Sequence, residues 1–260
     1  MIPRSIVRAF VALLVLVVAS PAAAQVYTER SYILPSGGIE LTGTPARPVM
    51  VGMNISEDQP TFDPFVLPVH LYFGATDELT LGITNDRGLC FNCGEEQGDL
   101  YNSAGLGMGL LYPFVRDPGF ELDLHVTAPL IDRFSDPFLL SARAGVLGRV
   151  NISRIVAFVF DPSLEIGIVG RDEGNREWLS LPVWFYFQAT EVVVPFVGTA
   201  VNGPLEGYGD NFQIPLEMGV IASVTRNIDL GGMLAFGNLM GRGGSFDYRG
   251  LAFLGRFRFN

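Results

Sequence analysis

Apolar and polar residues alternate one by one along most of this chain. In residues 119–130, GFELDLHVTAPL, the residues Glu121, Asp123, His125 and Thr127 fall on one face. Phe120, Leu122, Leu124, Val126 and Ala128 fall on the other. A period of two belongs to an extended strand, whose successive side chains point to opposite sides. The same division recurs in DELTLGIT, with Glu78, Thr80 and Thr84 against Leu79, Leu81 and Ile83. In REWLSLPVWFYFQ, Leu179, Leu181, Val183, Phe185 and Phe187 share a face. In NFQIPLEMGVIASV, Asn211, Gln213 and Glu217 oppose Phe212, Ile214, Leu216, Met218 and Val220. No helical period competes beyond residue 24.

The pattern predicts twelve strands, near 47–54, 64–74, 77–85, 101–115, 119–130, 137–149, 153–170, 176–188, 190–200, 210–224, 227–237 and 246–259. From the second strand onward, tight turns alternate with longer polar loops at 55–63, 86–100, 131–136, 171–175, 201–209 and 238–245. An even strand count with short turns on one side and long loops on the other is the signature of a membrane barrel. The expected fold is therefore all-β: a closed antiparallel meander transmembrane β-barrel of about 12 strands, spanning residues 47–260. LPVHLYFGATDE (67–78) and LPVWFYFQATEV (181–192) share Leu-Pro-Val, Tyr-Phe and Ala-Thr, which reads as repetition of a hairpin rather than of a domain. Pro68, Pro182 and Pro215 lie within inward-running strands, where a missing N–H predicts a bend or bulge.

Composition narrows the setting. The chain is 48% hydrophobic, 12% aromatic and 17% charged, with a net charge of −10 that argues against a nucleic-acid partner. Residues 1–24 carry Arg4 and Arg8, then AFVALLVLVVA, then small residues ending at Ala24, the form of a cleaved signal peptide. Residues 25–46 form an N-terminal segment that precedes the barrel on the periplasmic side and is a possible plug. No later apolar run is long enough for a membrane helix, so a soluble β-sandwich and a membrane barrel are the two candidates. Both alternate. The hydrophobicity, the even count with alternating loop lengths and the aromatic residues near strand ends favour lipid.

The chain closes on LAFLGRFRFN, with Phe253, Phe257 and Phe259 alternating before a final Asn260. With the leader and the hairpin pattern, this resembles the outer-membrane β-barrel proteins of Gram-negative bacteria, which characteristically end on a terminal aromatic residue. The departure is the single residue after Phe259. The resemblance implies an outer-membrane location, embedding in lipid and insertion by the barrel-assembly machinery. The proline-bearing hairpins also look like those of barrels described as transporters, which implies a narrow channel or transporter for small solutes. The alternatives are a non-transporting surface or structural barrel with a plugged lumen and, less favoured, a membrane-embedded hydrolase.

With the apolar face toward lipid, the polar face lines the lumen. The candidate lining residues are Glu78, Gly105, Gly107, Gly109, Glu121, Asp123, His125, Thr127, Arg143, Arg149 and Glu217. A turn at 116–118 puts residue 109 opposite 125 and 107 opposite 127, so the glycines would form a bare groove beside the acid and imidazole ladder. His70 points inward alone. Asp123 and His125, two apart on one strand without a serine partner, read as lining rather than catalysis, so no enzyme is expected. Cys90 and Cys93, in CFNCG, make half a zinc site at most and are expected to form a local disulfide in an oxidising compartment. No metal or cofactor is expected.

Overall fold

The computed structural model describes residues 26–43, 46, 49–55, 65–85, 89–91, 106–117, 119–131, 138–241 and 249–259. Its strands form one closed antiparallel barrel of 12, in which neighbours in the wall are neighbours in the chain. The wall strands are β1 (Ile39–Thr42 with Val49–Ile55), β2 (Phe65–Leu67 with His70–Gly74), β3 (Thr80–Thr84 with Leu89–Phe91), β4 (Leu106–Asp117), β5 (Phe120–Ile131) and β6 (Leu140–Asn151). They continue as β7 (Val156–Phe160 with Ser163–Val169), β8 (Trp178–Ser180 with Val183–Phe187), β9 (Val193–Thr199 with Asn202–Pro204), β10 (Gln213–Ser223), β11 (Ile228–Gly241) and β12 (Arg249–Phe259).

Closure comes in two steps. Arg249–Leu254 of β12 pairs with Val49–Ile55, and Arg256–Phe259 pairs with Ile39–Thr42. Ile39–Thr42 also pairs with His70–Gly74 of β2. The wall thus begins at Ile39 rather than near residue 47. Its four residues, Ile-Glu-Leu-Thr, carry the same alternation as the longer strands, with Glu40 and Thr42 buried inside.

The prolines break the ladder where a missing N–H requires it. β2 is interrupted at Pro68, β8 at Leu181–Pro182, and β10 shifts register between Ile214 and Leu216. β7 is interrupted at Pro162, and β4 shifts against β5 between Pro113 and Val115. The short connections at 75–79, 119, 152–155, 188–192 and 224–227 share one end of the barrel, the turn end, with Ile39 and Phe259.

The outward face is apolar and uncovered. Leu81, Ile83, Met108, Phe114, Leu124, Phe185, Met218 and Phe253 all stand exposed, Phe114 at 74%. A soluble sandwich would bury this face; a barrel in lipid leaves it outside. The inward face is divided. On β1, β5, β6, β11 and β12 it carries Glu40, Glu121, Asp123, Arg149, Asp229 and Arg256. On β7 to β10 it carries Ala157, Val159, Trp184, Tyr186, Val194, Phe196 and Ile221, which belong to one buried cluster.

Candidate functional site

What covers that apolar sector is the chain's own N-terminal segment. Residues 26–38 run inside the turn end of the barrel, with Tyr27, Thr28, Arg30, Tyr32, Ile33 and Leu34 buried. Tyr27, Tyr32, Ile33 and Leu34 join the cluster formed by the wall. The Tyr27 ring lies 5.5 Å from that of Tyr186, with the Arg256 guanidinium at 5.4 Å; Arg149 stands 5.3 Å from the Tyr32 ring. Burial pushes both phenols above their ordinary range, which keeps them neutral.

The polar groups of the segment meet the charged sector. The Arg30 guanidinium lies 2.5 Å from the Asp229 carboxylate, both side chains 1% exposed. Arg149 donates to the Arg30 carbonyl and, at 2.7 Å, to Glu121. The other Glu121 oxygen accepts from the Ser31 hydroxyl at 2.8 Å and from the Tyr32 N–H at 3.0 Å. Thr80 Oγ1 accepts from the Leu34 N–H at 2.9 Å, and Asp77 accepts from the Ser36 N–H at 2.9 Å. Arg258 donates to the Ser31 carbonyl at 3.0 Å and to Glu40. The segment leaves by a turn at Gly37 (φ 81°), and Gly37 and Gly38 exchange backbone bonds of 2.8 Å with Gly74. A Cβ on Gly74 would stand 2.0 Å from the Pro35 carbonyl oxygen, so this close approach requires glycine.

Beyond the segment, toward the loop end, lies a cavity of about 350 Å³ that reaches from β2 round to β11. Its walls carry His70, His125, Arg143, Asp161, Trp184 and Glu217, with hydroxyl and amide groups from Thr127, Ser163, Ser180, Thr199 and Asn202. His125 Nε2 stands 3.2 Å from Asp161 Oδ1, reaching across Gly145, where a Cβ would sit 1.8 Å from the imidazole nitrogen. Arg143 Nε donates to Thr127 Oγ1 at 3.1 Å. Trp184 lies over Gly198 and donates its indole N–H to Glu217 at 3.0 Å. His70 Nδ1 lies 3.1 Å from the Tyr72 hydroxyl.

The residues singled out by sequence fall into separate layers. Gly109, His125, Thr127, Arg143 and Glu217 line the cavity. Glu121 and Arg149 belong to the network that holds the N-terminal segment, and Asp123, fully buried, follows Glu121 on the inner face of β5. Glu78 is exposed in the turn 75–79, with its N–H on the Thr76 hydroxyl. Gly107 is buried opposite Pro129. Gly105 and Cys93 lie outside the described residues, and with Cys93 the expected disulfide.

The expected glycine groove needs correction. Gly109 pairs with Thr127, not with residue 125, and Leu111 pairs with His125. The turn is tighter than expected, Asp117 pairing directly with Phe120, and the shift at Pro113 moves the register again. A Cβ on Gly109 would meet the methyls of Thr84 at 3.0 Å and Thr127 at 3.1 Å, so the position is crowded rather than open.

Arg30, Asp161, Trp184 and Asp229 were not among the sequence candidates. Alternation carried through Pro162 would have reached Asp161. Nothing in a period of two marks Trp184, a large apolar residue on the inner face.

No protein-family model matches the chain, and no curated protein matches it in sequence. Solved structures do match. The KdgM porin superposes over 86% of this chain and 99% of its own with a TM-score of 0.57 at 8% identity. The NanC porin covers 85% and 98%, again with a TM-score of 0.57, at 7% identity. An outer-membrane channel from Pseudomonas putida F1 covers 87% and 97% with a TM-score of 0.49 at 12% identity. At such identities the likeness is one of fold.

Proposed function

We propose that the protein is an outer-membrane channel for small solutes whose turn end, facing the periplasm, is occluded by residues 26–38. The observation that carries this reading is the polar cavity above the segment, enclosed by a barrel that exposes large apolar side chains on its outer face. Such a belt belongs in lipid, and the barrel-assembly machinery is then the expected partner for insertion. The likeness in fold to the KdgM and NanC porins supports the same reading. A chain of 12 strands lies between barrels filled by their own side chains and open 16-stranded porins, so a narrow lumen is expected. The groups in the cavity act as lining in this reading, His125 being engaged with Asp161.

A second reading has its own observation. The segment is held by ion pairs, hydrogen bonds and apolar packing along its length, which suits a permanently closed barrel with a structural role. Conductance of the purified protein in a planar bilayer, with and without residues 25–38, separates the two. The deletion stops at 38 because Ile39–Thr42 completes the wall. A channel is expected to conduct steadily without the segment and in rare openings with it. A heat-modifiable barrel that conducts in neither form would rule out the channel.

A further inference from the structure

We infer that Asp123 and Glu121 share one proton beneath the N-terminal segment, and that this proton makes the seat of the segment pH-sensitive: closed while it is held, opening as it is lost. The inference concerns how residues 26–38 are held and stands whether or not the barrel conducts.

Asp123 is 0% exposed, and neither of its oxygens receives a hydrogen bond from an N–H or O–H group of the described residues. The side chain in hydrogen-bond contact with it carries a second carboxyl, that of Glu121, two residues earlier on the inner face of β5. Two carboxylates have no hydrogen to place between them. Out of water, such a contact stands when one of the two carries a proton and donates it to the other. The cross-strand neighbours of Asp123 are Pro113 on β4 and Leu147 on β6, neither with a polar side chain.

The charged and titratable groups around the pair come from every element packed on it. Arg149 of β6 donates to Glu121 at 2.7 Å, and Arg116 of β4, exposed, stands 4.0 Å from the same carboxyl. The segment brings the Tyr32 phenol, kept neutral by burial, and on β5 itself His125 follows, turned toward Asp161. Arg149 matches the charge of Glu121. A second charge, on Asp123, would stand desolvated against the first.

The link to the segment runs through Glu121, whose Oε1 accepts from the Ser31 hydroxyl and the Tyr32 N–H. Lifting the segment off Glu121 opens the pair to water, where both carboxyls can ionise. Seating and the shared proton therefore support each other. Once the pH passes the point at which the seated pair gives up its proton, seating weakens by up to about tenfold per pH unit.

The test reads the labelling of Ile33→Cys, buried in the parent, by a bulky polar maleimide, with Cys90 and Cys93 replaced by serine. Glu78→Cys, exposed in the turn 75–79, gives the reactivity of an open thiol at each pH. From about pH 6 to about pH 10 the ratio of the two rates should rise, by about tenfold per pH unit at its steepest. Asp123→Asn replaces the proton by an amide N–H that donates to Glu121 at every pH, so its ratio should stay low and flat. Asp123→Leu has no charge to expose and should be flat as well, which keeps the test intact where the amide disturbs the barrel. The heat-modifiable gel shift certifies each barrel. A flat ratio in the parent would overturn the shared proton. So would an equal rise in a folded Asp123→Asn or Asp123→Leu barrel, which would assign the pH dependence to a group other than the pair. Conductance plays no part in this readout, so failure of the channel reading leaves the result untouched.

Discussion

Arg30 is the residue whose loss tests the N-terminal segment most directly. Its guanidinium and the Asp229 carboxylate are 2.5 Å apart and each 1% exposed, so Arg30→Ala strips a buried carboxylate of its closest cation. Removing one partner of a buried pair costs about 3–5 kcal/mol. At about 1.4 kcal/mol per decade, that shifts the docked-to-released ratio by roughly two to three and a half decades. The rest of the segment keeps its own anchors: Ser31 and Tyr32 on Glu121, Leu34 on Thr80, Ser36 on Asp77. These are worth about 1 kcal/mol each, more to the carboxylates. Arg30 takes no part in the strand pairing that closes the barrel. The expected outcome is therefore local: residues before Ser31 come loose, and the stretch from Ile33 to Gly38 stays.

The assay is the labelling rate of single cysteines by a bulky polar maleimide, with Cys90 and Cys93 replaced by serine. Thr28→Cys, buried in the parent, should label about a hundredfold faster or more in the Arg30→Ala background, while Leu34→Cys changes little. Arg30→Met with Asp229→Leu should restore slow labelling, because an apolar pair of similar bulk removes the orphaned charge along with the bond. Equal rates at Thr28→Cys with and without Arg30 would refute the ion pair as the latch. A parallel rise at Leu34→Cys would refute the two-part anchoring.

Two further perturbations probe other layers. Leu124→Arg, on the exposed apolar face of β5, should cost about 2–4 kcal/mol near the membrane midplane by denaturant titration in lipid. A cost no greater than that of Leu124→Ala would mean that this face does not meet hydrocarbon. At the loop end, hydrogen bonds from Arg171 hold the Glu177 carboxyl below its ordinary range. A depressed carboxyl contributes order above its ordinary pKa and loses it as pH falls through the lowered value. Proteolysis of the loop 170–177 should therefore quicken only at acid pH, and Glu177→Gln should be as susceptible at pH 7 as the parent is in acid.

How much of this was legible in the sequence depended on whether one period described the residue. On β5 a single period describes the strand, with Glu121, Asp123 and Thr127 buried and Leu124 exposed. The breaks at Pro68, Pro182 and Pro215 followed from a missing N–H. Ile39–Thr42 escaped notice because four alternating residues are too short a window beside the irregular stretch that follows. Trp184, Tyr186, Val194 and Phe196 escaped for a different reason. On β8 and β9 both faces are apolar, so alternation of polarity vanishes although alternation of direction does not. That loss of contrast was itself a signal: an apolar inner wall needs an apolar cover. The cover, Tyr27 with Tyr32 to Leu34, follows no period at all. Its spacing is fitted to the wall it meets rather than to a regular element.

The ion pairing of the turn end argues that the segment belongs to the folded barrel. On the wall, Arg149 is paired with Glu121, and Arg256 and Arg258 with Glu40, while Asp229 stands buried beside them. Arg30 supplies the cation on Asp229. A wall evolved to stand open to water would have no need of this match, since hydrated charges are screened. A wall closed over by Tyr27 and Tyr32 does need it, because desolvated charges are stable only in pairs. The same pairing gives the barrel lacking residues 25–38 a definite property. Its Asp229 has lost the Arg30 guanidinium, and the cavity above carries Asp161 and Glu217 against Arg143. A fixed negative excess in a narrow lumen draws cations. The deletion that opens the lumen should therefore leave it cation-selective, with a reversal potential in a salt gradient displaced toward that of the cation. Removing the Asp229 charge with Asp229→Asn should move it back toward zero.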